Sequence, residues 1–263
     1  MLPAGSKRRT GRLLGVSVPP VTRTAPKVRS RTPAVGSPAV ELVLVRHGQP
    51  EWIRRGRNVD DPVLTAVGRR QAARAARALT PERFDRVLVS PLARARETAA
   101  PIEAALGVQG EVLDWLAEIR NPAWDGTDHD TERIFAEARL RPAEQHWEGL
   151  AGGESFRAFH ERVVGGLTAL LDDAGVRPAA SELPLWTVPD PMQRVLVVAH
   201  AGTNSVILTH LLGVRPVPWE WERFVLHHAS ISHAMPLMIG EGWSFSLLRL
   251  SDTRHLTPAL TTR

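Results

Sequence analysis

ELVLVRHGQPEW, residues 41–52, changes character halfway along. Leu42, Val43, Leu44 and Val45 make an apolar, partly β-branched run of the length of a buried strand. The run stops on Arg46, His47 and Gly48. A second run has the same form: RVLVVAH (194–200) stops on His200, with Ala201 and Gly202 behind it. In open α/β sheets, ligands bind beyond the carboxyl ends of the strands. Two strands ending on histidine therefore place two imidazoles on one rim. The trailing glycines let backbone come close to a ligand.

The segments around these strands read as alternating helix and strand. LTAVGRRQAARAARAL (64–79) is an Ala- and Arg-rich helix that Thr65 can cap. RVLVS (86–90) is a short buried strand. PLARARETAAPIEAAL (91–106) is a helix with Pro91 in its first turn. EVLDWLAEI (111–119) reads as a strand running into a loop, and Pro122 and Gly126 mark 120–130 as irregular. A helical patch at 131–140 follows, then a long helix over 153–175 opened by Gly153, Glu154 and Ser155. Residues 176–193 hold four prolines and read as a linker. A helix at 201–213 ends on Gly213. Segments near 224–232 and 243–250 read as closing strands. The pattern implies an α/β fold: a mixed, mostly parallel sheet with helices on both faces.

The chain has 263 residues, of which 43% are apolar, enough for a sizeable core. It has no cysteine, hence no disulfide framework, no thiolate nucleophile and no Cys-based metal site. That composition is compatible with the cytoplasm. No apolar stretch approaches the roughly 20 residues that cross a bilayer. The net charge is +5, but Lys7, Arg8, Arg9, Arg12, Arg23, Lys27, Arg29 and Arg31 all precede residue 40, where no acid occurs. The rest of the chain is slightly acidic, so the sequence does not read as a nucleic-acid binder. Residues 1–39, rich in Pro, Ser and Thr, are expected to form a disordered basic tail. Residues 40–263 are expected to form one domain, with 120–152 an insertion that supplies part of a pocket wall. The sequence leaves a homo-oligomer open.

Ser90-Pro91 ends the second strand, Arg94 follows one helical turn later, and the 111–119 segment leads to Glu118. Two Arg, two His and one Glu are thus expected on one rim. Paired guanidiniums suit a dianionic phosphate. An imidazole on a fixed strand end can attack phosphorus, and a nearby carboxylic acid can protonate a leaving alkoxide. Side-chain cations make a metal unnecessary.

LVRHGQPEW, DPVLTAVGRRQA, SPLARARETAA, LAEI with WDG, GGESFRAFHERV and VLVVAHAG, in this order, resemble the histidine phosphatase superfamily, its phosphoglycerate-mutase-like branch. SDTRHL at 251–256 extends the likeness. The resemblance implies His47 as the phosphorylated nucleophile, Arg46 and Arg94 as the phosphate clamp, His200 as the second histidine of the pocket and Glu118 as the proton donor. Gly48 would lie against the substrate. It implies no cofactor and a small phosphorylated substrate. Pro122 stands where the family often has Gly, four residues after the acid. Ile53 stands where mutases usually have Asn, and the IRRGRNVDD loop is short. Both departures favour a phosphatase over a mutase. A catalytically silent binding module of the same fold is the third reading. His227, His228 and His233 form a tempting cluster, but two facing imidazoles lack a third metal ligand, so they read as packing. Trp124, Trp147, Trp219 and Trp221 fall in loops and the insertion, where they can line a pocket. Arg54, Arg55 and Arg57 are candidates to meet an acidic substrate.

Overall fold

The computed structural model describes residues 40–189 and 193–263. The expected disordered tail, residues 1–39, lies outside the described residues. Among the described residues ten strands occur: β1 (Glu41–Arg46), β2 (Ile53–Arg54), β3 (Arg57–Asn58), β4 (Arg86–Val89), β5 (Glu111–Val112), β6 (Arg177–Pro178), β7 (Trp186–Thr187), β8 (Arg194–Ala199), β9 (Ile231–Ile239) and β10 (Gly242–Asp252). The α-helices are α1 (Ala66–Leu79), α2 (Ala93–Leu106), α3 (Thr131–Arg139), α4 (Phe156–Asp173), α5 (Ala201–Leu211) and the single turn α6 (Glu220–Arg223).

Eight strands form one sheet in the order β5-β4-β8-β1-β9-β10-β7-β6, and β2 and β3 form a separate small hairpin. β5, β4, β8 and β1 run parallel; β9, β10, β7 and β6 add on antiparallel. This is the mixed sheet expected, with its parallel part in the half that carries the site. Strand alternation sends successive side chains to opposite faces, and β1 shows the result. Leu42 and Leu44 pack with Phe159, Val163 and Leu167 of α4 and Ile207 and Leu208 of α5. Val43 and Val45 pack with Ala75 and Ala76 of α1 and Ala99 and Ile102 of α2. Both faces of the sheet are thus covered, as a run of consecutive apolar residues requires.

Helix starts follow their caps. Thr65 accepts the amide of Gly68 at 3.0 Å and opens α1. Ser155 accepts from Ala158 at 3.1 Å, so α4 begins at Phe156, three residues later than expected. In α2, Leu92 occupies the cap position and Pro91 precedes the helix instead of sitting in its first turn.

Three expectations are corrected. Residues 111–119 are not one strand: β5 is two residues long and a 3₁₀ turn follows at Asp114–Leu116. That turn swings the chain off the sheet toward Glu118. Residues 176–193 are not simply a linker, because β6 and β7 extend the sheet there, with Trp186 opposite Trp243 of β10. The closing strand does not begin near 224. Residues 224–230 form a loop and β9 starts at Ile231. The loop is bent by Ala229, which adopts a left-handed φ of 53°. Pro236 is tolerated within β9 because β1 pairing ends at Ala234, leaving no partner strand on that side. Among the described residues, no helix is long and apolar enough to cross a membrane.

Candidate active site

The carboxyl ends of β1, β4 and β8 deliver His47, Ser90 and His200 to one place. The imidazole centroids of His47 and His200 are 5.0 Å apart. His47 is buried, and its Nδ1 lies 2.7 Å from the carbonyl oxygen of Gly48. A carbonyl only accepts, so Nδ1 carries the proton and Nε2 is left with a bare lone pair. Burial pushes the His47 pKa well below the usual range, and the charges of Arg94, His200, Arg46 and His228 push the same way. The ring is therefore neutral, as a nucleophile must be. Its main chain is fixed too: the His47 amide donates to Ala199 of β8, and its carbonyl accepts from Ala229.

His200 is fully buried at the start of α5, with Nε2 2.7 Å from the Ser90 hydroxyl. With the hydroxyl as donor, Nδ1 keeps its proton, and that proton has no partner among the described residues. The Nε atoms of Arg46 and Arg94 are also buried and have no partner among the described residues. An unsatisfied buried donor costs about 1–3 kcal/mol. Three of them, on groups close enough to perturb one another's ionisation, fit a tetrahedral oxyanion.

Each guanidinium is steered from outside the site. Arg94, on α2, meets Asp61 at 3.5 Å and lies 4.9 Å over the Trp52 ring. Arg46 donates to the Leu226 carbonyl, and its Nη2 lies 3.1 Å from Nε2 of His228. Burial lowers the Arg46 pKa to about 10, which leaves it charged at neutral pH.

Glu118 follows the 3₁₀ turn. Its Oε2 accepts the Gly202 amide at the α5 N-terminus at 2.9 Å, and Oε1 accepts the Ile119 amide at 3.1 Å. Protein surrounds the carboxyl on most sides, although the residue keeps some accessible surface. Burial raises its pKa; the two amides and then Arg94 and Arg46 oppose the rise. The net shift is toward the acid form, the direction a proton donor requires. Arg162 of α4 holds the segment in place. It pairs with Glu154 at 2.9 Å and donates to the carbonyls of Trp115 and Ala117, each at 3.1 Å. Glu154 closes the bracket by accepting the Arg120 amide at 3.1 Å.

The structure brings Arg46, His47, Arg94, Glu118 and His200 together. It gives Gly48 a different job from the expected one. The Gly48 amide is taken by Thr98 at 3.0 Å, and a Cβ there would stand 2.6 Å from the Gly68 carbonyl. Glycine is required there for the close approach of α1. His228, read as packing, lies at the site, 5.7 Å from His47 between ring centroids. Trp52, Asp61, Glu154 and Arg162 are further parts of the assembly. All four fall within the motifs quoted above, where none has a role in the site. Arg54 and Arg57 are paired at the surface, with Glu51 and Asp128.

A cleft of about 600 Å³ opens beside Arg46, walled by Ala201, Trp221, Leu226, Arg139, Glu222 and Arg263. Arg139 brings the 120–152 segment to this wall. Glu222 accepts from Arg139 at 2.7 Å and from Arg263 at 3.2 Å. Among the described residues, no three His, Cys, Asp or Glu side chains are grouped to hold a metal ion.

Comparison with known proteins finds the histidine phosphatase superfamily (branch 1) matching residues 42–249. The chain is 31% identical to phosphoserine phosphatase 1 of Hydrogenobacter thermophilus over 179 residues, 66% of this chain and 77% of that one. It is 28% identical over 237 residues to a probable phosphoglycerate mutase of Yersinia enterocolitica, 84% of this chain and 97% of that one. Among solved structures, it is similar to a mycobacterial glucosyl-3-phosphoglycerate phosphatase in complex with inorganic phosphate. The TM-score is 0.61 and the identity 28%, over 83% of this chain and 100% of the other.

Proposed function

Because the chain belongs to the histidine phosphatase superfamily, branch 1, we propose that it hydrolyses a small phosphate monoester through a phosphohistidine on His47. One observation carries the reading. His47 presents an unprotonated Nε2, and three buried N–H donors of the same site, on Arg46, Arg94 and His200, have no partner among the described residues.

In the first step Nε2 attacks phosphorus in line. The N–P bond forms, the ester P–O bond breaks, and protonated Glu118 delivers its proton to the leaving oxygen. In the second step water attacks the phosphohistidine, ionised Glu118 takes a proton from that water, and the N–P bond breaks to release phosphate. Arg46, Arg94 and the Nδ1 proton of His200 hold the phosphoryl oxygens throughout. Charge stabilisation of this kind supplies a large share of phosphoryl-transfer catalysis. The leaving group would lie in the cleft toward Trp221 and Arg139.

Purified protein with para-nitrophenyl phosphate and EDTA is expected to release phosphate. His47→Ala is expected to abolish release, and the wild type to yield an acid-labile, base-stable phosphoenzyme. Turnover retained in His47→Ala would reject the mechanism. Isomerisation of 2- or 3-phosphoglycerate without phosphate release would instead assign a mutase, and no turnover on a broad panel a silent binding module.

A further inference from the structure

We infer that His228 is a positioning residue for the phosphate clamp: its Nε2 lone pair orients Arg46, and a hydrogen-bond chain reaching α1 and the 260–262 segment holds the ring in place. The inference rests on the reading of the site as a phosphate pocket.

Arg46 Nη2 carries only hydrogens. His228 Nε2, 3.1 Å away, must therefore accept. The proton of a neutral ring then resides on Nδ1, which lies 2.9 Å from the Thr262 hydroxyl. That hydroxyl also accepts from Nε2 of Gln71, at 2.9 Å. Gln71 is fully buried in α1, donates to the Leu260 carbonyl at 2.7 Å, and accepts the Gln49 amide at 2.7 Å through Oε1. The His228 amide donates to the Thr262 carbonyl at 3.0 Å, which holds the histidine backbone against the same segment. Arg46 thus selects the tautomer, and the Thr262 hydroxyl oxygen, which already accepts from Gln71, accepts the Nδ1 proton as well. The other tautomer would set two donors against each other. Burial, with Arg46 and His227 adding to it, lowers the His228 pKa to about 3, in keeping with a ring that stays neutral.

The turn carrying His228 is bound to the nucleophile as well. Ala229 holds its left-handed conformation while its amide donates to the His47 carbonyl at 3.1 Å, and the Arg46 amide donates to Ser230 at 3.2 Å. Residues 226–230 thus clasp the end of β1 from side chain and main chain together. A left-handed Ala is strained and persists where its surroundings enforce it.

The test is equilibrium binding of inorganic phosphate by calorimetry, alongside kcat and KM. His228→Leu removes the acceptor, and His228→Gln returns one near the Nε2 position in a side chain of similar size. His228→Leu is expected to weaken phosphate binding about tenfold and to raise KM more than it lowers kcat. His228→Gln is expected to recover most of the loss. Thr262→Val, which removes the partner of the Nδ1 proton, is expected to weaken binding about threefold. Equal phosphate affinity in wild type and His228→Leu, or no recovery in His228→Gln, would overturn the positioning role. Should His228→Leu not fold, an unchanged affinity in Thr262→Val overturns it. A wild type that binds no phosphate would instead reject the reading of the pocket itself.

Discussion

Glu118 is pulled in two directions. Burial favours its acid form, while two backbone amides and two guanidiniums favour the carboxylate. A group balanced in this way can give a proton in one step and take one in the next. Glu118→Gln keeps the size and loses the proton. It is expected to lower kcat about 10²–10⁴-fold on alkyl phosphates and far less on para-nitrophenyl phosphate, whose phenolate leaves without help. Equal losses on both substrates would remove Glu118 from the donor role. Asp61 is expected to act through Arg94, so Asp61→Ala should raise KM severalfold, as a partly exposed ion-pair partner would. Not every residue of the assembly was equally visible in the sequence. Arg46, His47 and His200 stood out because an apolar run ended abruptly on each, which only a polar rim explains. His228 did not, because the loop that delivers it is shaped by a left-handed alanine, and no periodicity encodes that.

At the scale of elements, two adjacent glycines of α4 make opposite predictions. A Cβ on Gly165 would meet nothing within 4 Å, whereas one on Gly166 would stand 2.1 Å from the Trp115 ring. Gly165→Ala should stabilise the protein by about 0.5–1 kcal/mol through helix propensity alone. Gly166→Ala should destabilise it by about 1–3 kcal/mol and lower kcat, because Trp115 lies three residues before Glu118. Denaturant titration reads the first pair of effects and steady-state kinetics the second. The main helices and the three central strands were readable from period and capping residues, as Thr65 and Ser155 show. The 111–119 segment was not, because a 3₁₀ turn buries Leu116 and partly buries Trp115 in the core, and burial alone mimics a strand.

For the whole molecule, acid is the informative variable. His47, His200 and His228 are buried and neutral, with pKa values below the ordinary 6.5. Unfolded, they would bind protons that the native state refuses. Their contribution is full above about pH 6.5 and is lost as the pH falls, at up to about 1.4 kcal/mol per histidine per pH unit. For His228 the window extends down to about pH 3. Glu118, with its raised pKa, works in the opposite sense above 4.5, one group against three. The thermal midpoint should therefore drop by several degrees between pH 7 and pH 5, and His228→Gln should flatten that fall. A midpoint independent of pH over this range would contradict the buried neutral histidines. The order of the strands could not be read along the chain. Nothing local in ELVLV says that β1 lies between β8 and β9.

That placement has a consequence for synthesis. Glu41 pairs with Arg194, 153 positions further along the chain. A ribosome adding about 5–20 residues per second leaves this greasy segment without a neighbour for roughly 8–30 seconds. During that interval this apolar run, which leads directly into His47, has no strand partner. Successful production of the protein thus depends on how well the nascent ELVLV is shielded until its late-arriving partners emerge.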